Sequence, residues 1–524
     1  LLIYLQGLPI FKMNARPTSS SGSKGISSYR GRKLLNFIHA NLLNADSVIY
    51  GPFGDRKVIY CDFTASGLSL KCFEEFILNE VLTDYANVHS VLSGTASQTT
   101  DLRNDAKVII KNAVNAQSSD AIIFVGSGTT YAIHKLIHNL NLTEPPIVLN
   151  GPFEHHSNSL PWTHLAHKVI RLKTTIDGDV SIPYLEEMLR VIIFSIIFII
   201  LVLVCLSAAS NVTGILVDTV KISSLVHRYG GIIFWDYATA APYDAYKDAV
   251  FFSVHKFVGG PQTPGILVAK KSLFEAGQLF PHTSGGGTVE FVRRQKTTYL
   301  KDVEGREEGG TPAIVESIRA GMVIQLQQAI GMDIIAQREE QLVINCPNLI
   351  VLGGSKVKRL AIFSFLVRHT QSCLFIHHDF VCALLNDLFG IQSRSGCACA
   401  GPYALDLLGI NENLATSYEE ALITQPGFTR INLPFFYPDE EVEFILDAIV
   451  FIATYGWYFL PFYEYNPLTG FWHYASDHRT VTAKHLHNIS YERGVMRYKK
   501  AAIESNGEAP KSLKVGHYFS LMSP

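Results

Sequence analysis

GIIFWDYATAAPYDAYKDAVFFSVHKF, residues 231–257, holds two short apolar runs, each ending at a residue able to do chemistry. GIIFWD (231–236) closes on Asp236, and DAVFFSV (248–254) leads straight into His255 and Lys256. Runs of this length, rich in β-branched and aromatic residues, read as buried strands. A carboxylate ending a buried strand needs a partner, because an unpaired charge is costly to desolvate. A lysine entering apolar surroundings has its charged form disfavoured, which is how a Schiff-base amine is made.

The same pattern extends outward from this stretch. AIIFVG (121–126), PIVLN (146–150), HKVIRL (167–172), GILVDTV (214–220) and GILVAK (265–270) are further strand candidates. Helical patterns follow at about Thr130–Asn139 and in KISSLVHRYG (221–230). Strands alternating with helices imply βαβ units, and so an α/β fold with a mainly parallel sheet covered on both faces. Ligands of such sheets sit beyond the carboxyl ends of the strands. A long amphipathic pattern over 314–338 reads as a connecting helix. After it, NLIVLGG, LAIFSFLV and a helix starting near His378 suggest a smaller α/β domain. The expected division is a disordered or targeting tail (1–33), a large α/β domain (34–325), a small C-terminal domain (326–455) and a peripheral extension (456–524). Residues 34–60 are expected to pack on the small domain.

Composition bounds the function. The 524 residues are 48% hydrophobic and 17% charged, so a large core is available and global disorder is excluded. Forty-four basic against 46 acidic residues leave a net charge of -2, which gives no electrostatic argument for a nucleic-acid partner. Eight cysteines are too sparse for a disulfide scaffold, and none forms a CxxC zinc ribbon. The chain is therefore expected to be cytoplasmic. A basic, serine-rich stretch over Asn14–Lys33 leaves a mitochondrial address as the alternative to a plain tail. VIIFSIIFIILVLVCL (191–206) is anomalously apolar. As a helix it would extend about 24 Å against about 30 Å of hydrocarbon, and its Ile, Val and Phe favour strands. A buried strand with an apolar insertion, or translated non-coding sequence, accounts for it better than a membrane span.

Other strand ends carry further candidates. GSGTT (126–130) leads from a strand into a helix, where amides and hydroxyls suit a phosphate, although Gly-Ser turns are commonplace. EHHSN (154–158) supplies adjacent histidines whose side chains splay apart, which argues against a shared metal. SRSGCACAG (393–401) places two thiols in a glycine-bounded loop. One CxC without further ligands is poor evidence for zinc, and the two cysteines could equally fill space or form a redox pair.

YCDFTASG, YANVH, GSGTT, EHHSNSLPW, SNVTG, WDYATAAPY, SVHKF, REEGGTP, SRSGCACAG and FTRINL follow in that order within the stretch from about Tyr60 to Leu446. This series resembles the class V aminotransferase-like family of pyridoxal-phosphate enzymes, within it the cysteine desulfurase and selenocysteine lyase branch. The resemblance implies the fold type I architecture, pyridoxal 5'-phosphate as cofactor and a homodimer. It implies that Lys256 binds the cofactor covalently, His155 stacks on its ring and Asp236 pairs with the ring nitrogen. Thr129, Thr130, Ser253 and His255 would hold the phosphate, with Thr311 reaching the phosphate of a neighbouring subunit. Asn211 and Thr239 would lie near the phenolic oxygen, Thr239 standing where the family usually has glutamine. Arg430 would grip the substrate carboxylate, and Cys399 would be the thiol that takes sulfur from L-cysteine, leaving alanine and a persulfide for a sulfur-acceptor protein. Another class V reaction, by an aminotransferase, a kynureninase-like hydrolase or a cofactor sulfurase, is the first alternative. A non-catalytic or membrane-tethered relative is the second.

Overall fold

The computed structural model describes residues 2–3 and 27–498, apart from 89, 91, 196–200, 241–246, 276–279, 282, 341–345, 355, 422–425, 467–469, 476–483 and 493. The larger of its two main sheets has seven strands: β1 (Asp120–Val125), β2 (Ile147–Asn150), β3 (Lys168–Arg171), β4 (Val202–Ser207), β5 (Ile232–Asp236), β6 (Ala249–Ser253) and β7 (Gly265–Lys270). They lie in the order β1-β7-β6-β5-β4-β2-β3. All neighbours are parallel except β7, which runs antiparallel to both β6 and β1. Successive residues of these strands point to opposite faces. Val204, Leu206, Ile233, Trp235, Val250 and Phe252 enter one core, while Leu203, Cys205, Phe234 and Phe251 enter the other. Burial on both faces explains why the strands read as unbroken apolar runs. The molecule is an α/β protein of fold type I.

At the sheet edge, β1 is wholly buried although one side has no partner strand among the described residues. Carboxylates take that place: the Ile122 amide donates to Glu304 Oε1 at 3.0 Å and the Phe124 amide to Glu308 Oε1 at 2.8 Å. Arg103 and Lys107 pair with these glutamates and lie over the Phe124 ring.

The second sheet is antiparallel, with β8 (Leu349–Val351), β9 (Ile362–Arg368), β10 (Phe375–Ile376), β11 (Arg394–Gly396) and β12 (Phe428–Asn432). Its core takes in Ile38, Leu42 and Ile59 from the N-terminal part, Phe459 and Tyr463 from beyond 455, and the inner face of the helix Asp439–Tyr455. Continued to Phe462, that helix is the one described segment long and apolar enough to cross a membrane, and Ile445, Ala448, Ile449 and Ile452 are buried against the sheet.

Three expectations are corrected. GILVDTV is no strand of the main sheet: Gly214 turns at φ 72°, Ile215 and Leu216 make isolated bridges only, and Asp218 caps the helix Thr219–Arg228. The missing strand is β4, at the end of the anomalous apolar run, which begins as the last turns of the helix Ile182–Ser195; residues 196–200 lie outside the described residues. The connecting helix is broken, since Ile314–Ile330 ends at Gly331, whose φ of 85° takes it out of the helix before Met332–Glu340. Ordered helix Ser27–Ala40 also begins inside the expected tail, whose remainder lies outside the described residues except for Leu2 and Ile3.

Candidate active site

The carboxyl ends of β1, β2, β4, β5 and β6 converge, and together with the Cys399 turn and Arg430 they build one cavity of about 220 Å³. After β1 the chain turns at once into the helix Gly128–Asn139, whose N-cap Ser127 makes no side-chain cap bond. The Thr129 amide donates to Ser253 Oγ at 2.9 Å, tying this helix to the end of β6. Gly128 is at φ 56°, and a Cβ there would lie 2.7 Å from Ser253 Oγ and 3.0 Å from the His255 ring. Only glycine lets these two stretches of chain approach this closely. The result is a polar rim of Ser127, Thr129, Thr130, Ser253 and His255 at a helix N-terminus, a setting that favours a dianion.

Beyond β2, Glu154 is fully buried and accepts three hydrogen bonds: from the Ser207 amide at 2.7 Å, the Ser207 hydroxyl at 2.6 Å and Asn158 Nδ2 at 2.6 Å. It thereby locks the end of β4 to the helix His156–Leu165. Burial outweighs these donors and raises its carboxyl to about 7. The next residue, His155, is the N-cap of that helix, and its Nδ1 accepts from the Ser157 amide at 3.1 Å. Burial first, then the charge of Lys256, pushes its imidazole down to about 4. A neutral ring with Nδ1 used as acceptor carries its proton on Nε2.

Lys256 ends a single 3-10 turn, Val254–Lys256, directly after β6. Its amine borders the cavity, yet protein surrounds it, and desolvation lowers it to about 8 against the opposing pull of Asp236. Asp236, 3% exposed, accepts one backbone bond, from Ala238 at 2.8 Å, and burial raises its carboxyl. No cation lies in ion-pair range of it among the described residues, so the site presents a buried carboxylate suited to a cationic ring nitrogen.

The opposite wall comes from the second sheet. Arg430 on β12 is 3% exposed, donates to the Asn211 carbonyl at 2.9 Å and pairs with Asp62 at 2.7 Å. Cys399 follows β11 in a turn where the Ala400 amide donates to the Cys397 carbonyl at 3.1 Å. Ala398 and Cys399 both stand at positive φ, 51° and 55°. Left-handed conformations cost non-glycine residues roughly 1–2 kcal/mol each. Three groups hold the strained turn in place: Asn211 Nδ2 donates to the Ala398 carbonyl at 2.7 Å, the His156 amide to the Cys399 carbonyl at 2.9 Å, and the Gly401 amide to His156 Nε2 at 3.2 Å.

Of the residues singled out in the sequence, Thr129, Thr130, His155, Asn211, Ser253, His255, Lys256, Cys399 and Arg430 line this one cavity, and Asp236 is buried beside it. Thr239 does not. It lines an adjoining pocket of about 130 Å³ with Phe63, Phe435 and Phe436, because the turn after Asp236 presents Ala238 to the main cavity instead. Thr311 is exposed and outside the cavity, its hydroxyl accepting from Asn87 at 3.2 Å. Ser157, Arg394 and Thr64 line the cavity without having been singled out, although each lies inside a quoted motif. Pyridoxal phosphate fits these residues. The rim suits its phosphate, Asp236 its ring nitrogen and Lys256 its aldehyde, while Asn211 Oδ1 and Arg430 Nε are buried without a hydrogen-bond partner among the described residues.

Comparison with known proteins agrees with this geometry. The profile of the family "Aminotransferase class-V" matches residues 59–444. A probable cysteine desulfurase of Halalkalibacterium halodurans is 30% identical over 346 residues, covering 62% of this chain and 80% of that protein. One from Staphylococcus aureus is 28% identical over 372 residues, covering 66% and 84%. Among solved structures, the apo cysteine desulfurase of Thermococcus onnurineus superposes with a TM-score of 0.62 at 24% identity, covering 76% of this chain and 94% of that one. The Escherichia coli cysteine desulfurase CsdA does so at 0.57 and 21%, covering 74% and 93%. At these identities the structural likeness establishes the fold.

Proposed function

Because the chain belongs to the class V aminotransferase family, whose members work with pyridoxal phosphate, we propose that it is a cysteine desulfurase, taking sulfur from L-cysteine to leave alanine and a persulfide on Cys399. The observation that carries this reading is the presence of a thiol, Cys399, in the wall of the cavity that also holds Lys256, His155 and Arg430. The cofactor, when bound, supplies an electron sink for the bond-breaking at the substrate's α-carbon. The rest falls to the protein. Lys256, lowered to about 8, is partly neutral near neutrality. It can therefore hold the cofactor covalently and, once released by substrate, take the α-proton on Nζ. Arg430 offers a guanidinium fork to the substrate carboxylate, which fixes the α-carbon against Lys256. His155 covers the ring face as a neutral imidazole, and its Nε2–H is free to move a proton at the substrate sulfur.

A second reading draws on the adjoining pocket behind Thr239. Its phenylalanines, next to Lys256, would accept an apolar side chain and favour another class V reaction. One experiment separates the two. Purified, cofactor-loaded protein is given L-cysteine, and alanine is measured for the wild type and for Cys399→Ser. Alanine from the wild type with a loss of at least about a hundredfold in the variant supports the desulfurase, that being the usual scale for removing a nucleophile. Equal alanine from both removes Cys399 from the mechanism, and none from either rejects the desulfurase.

A further inference from the structure

The turn that carries Cys399 carries a second thiol two residues earlier. Cys397 and Cys399 are both unpaired and partly exposed, while Cys61 and Cys205 are buried in other elements. Residues two apart cannot have Cα atoms more than roughly 7 Å from each other, and a bend brings them closer. The chain is bent here, with the Ala400 amide on the Cys397 carbonyl and φ positive at both central residues, the backbone signature of a type I′ turn. Disulfides need Cα atoms about 4.4–6.8 Å apart, a range that such a turn supplies.

The clamp on the turn matters as much as its shape. The carbonyls of Ala398 and Cys399 and the amide of Gly401 are each bonded to a residue of the large domain, through Asn211 and His156. These bonds tie the backbone of the turn to the large domain on the Cys399 side, and Cys397 is the thiol that the same turn carries next to it. Cys397 is half-buried and packs against the apolar core that borders this turn.

We propose that Cys397 is a resolving thiol that discharges the Cys399 persulfide. The inference rests on the reading of Cys399 as the sulfur acceptor. The Cys397 thiolate attacks Sγ of Cys399, a Cys397–Cys399 disulfide forms, and the bond from Sγ to the outer sulfur breaks. The outer sulfur leaves with the electron pair and, with one proton, departs as hydrogen sulfide. Two cysteine sulfurs are oxidised as the outer sulfur is reduced, so this step needs no external oxidant. A disulfide confined to so small a ring is strained and readily reduced, and any dithiol returns the enzyme to its starting state. The product is then free sulfide in place of a delivered persulfide.

The test uses the cofactor-loaded enzyme with one equivalent of L-cysteine per site and no added reductant, reading alanine, sulfide and intact mass. The wild type should release sulfide in step with alanine and finish lighter by two hydrogens. Cys397→Ser, with Cys397→Ala as a second variant should the first fold poorly, should finish heavier by one sulfur, with the ratio of sulfide to alanine down at least roughly tenfold, as expected when the attacking thiol is gone. A ratio that stays the same in both variants overturns the proposal while leaving Cys399 in place. Alanine formed by Cys399→Ser overturns the underlying reading instead, and the resolving role with it.

Discussion

Glu154 offers the sharpest quantitative handle on this site. The substitution is Glu154→Gln, which keeps the shape of the side chain and removes its titration. Hydrogen bonding survives the exchange. The amide oxygen can accept from the Ser207 backbone, the amide nitrogen can donate to the Ser207 hydroxyl, and Asn158 can turn its Oδ1, now without a partner, toward the new donor. In the native protein the carboxyl lies at about 7 against an ordinary 4.5. At about 1.4 kcal/mol per pH unit, this difference corresponds to about 3 kcal/mol. Its sign follows from proton counting. Below pH 4.5 both native and unfolded chains hold the proton and the group costs nothing. Between pH 4.5 and about 7 the unfolded chain has released it while the native chain retains it, so wild-type stability falls as pH rises. Above about 7 the loss is complete and constant. Glutamine lacks this dependence, so the stability of the variant minus that of the wild type should climb by about 3 kcal/mol across that window. Urea unfolding followed through the buried Trp162 and Trp235, at matched cofactor occupancy, reads the difference directly because all other titrations cancel. A difference that stays flat within about 1 kcal/mol, or that falls with pH, refutes the view that desolvation governs this carboxyl.

Two further predictions concern strain and charge. Ala398→Gly should raise stability by about 0.5–1 kcal/mol, because the left-handed backbone penalty at φ 51° outweighs the extra freedom glycine gives the unfolded chain. Urea unfolding checks it, and a destabilised variant would mean that the turn bears no strain. Lys135→Met should cost about 3–5 kcal/mol, because Lys135 Nζ sits 3.1 Å from the carboxylate of Glu307 with both side chains almost fully buried, and its loss leaves that buried carboxylate with only the more distant Arg306 Nε, at 3.6 Å, as a cation. The double variant with Glu307→Gln should recover most of that loss in the same unfolding assay.

Much of this architecture could be read from the chain because parallel strands, buried on both faces, write themselves as apolar runs with polar stops. Those stops are the strand ends where Asp236 and Ser253 lie, and the loop just past Asn150 that holds Glu154. The apolar run 191–206 reads as a buried strand with an insertion, and its strand is there, but the start of that strand could not be placed where the apolar signal had no edges. Val202–Ser207 sits in a run whose first part is helical, and nothing in a uniform stretch of Ile, Val and Phe marks the change of period. GILVDTV took its place on local composition, although Asp218 at a capping position and Gly214 at a turn argue against a strand. Among the site residues, Lys256 was legible because a lysine directly after an apolar strand is unusual, whereas His155 took its role only from the ordered series of motifs. Ser157 and Arg394 were not legible, since a serine in the first turn of a helix and an arginine on a short strand have ordinary roles almost everywhere. Thr239 was misplaced by one residue of turn geometry, which decides whether a side chain meets the main cavity or its neighbour.

The glutamates along β1 settle how the large sheet may grow. A bare edge strand offers its amides to any extended chain that drifts against it. Here two of those amides are already spent on Glu304 and Glu308, and those carboxylates are in turn held by Arg103 and Lys107. An incoming strand would have to strip away both carboxylates and leave two cations without their partners before its first ladder bond could form. The sheet on which the cavity is built is thus closed to addition on that side, and an added strand would have to use its other edge, at β3.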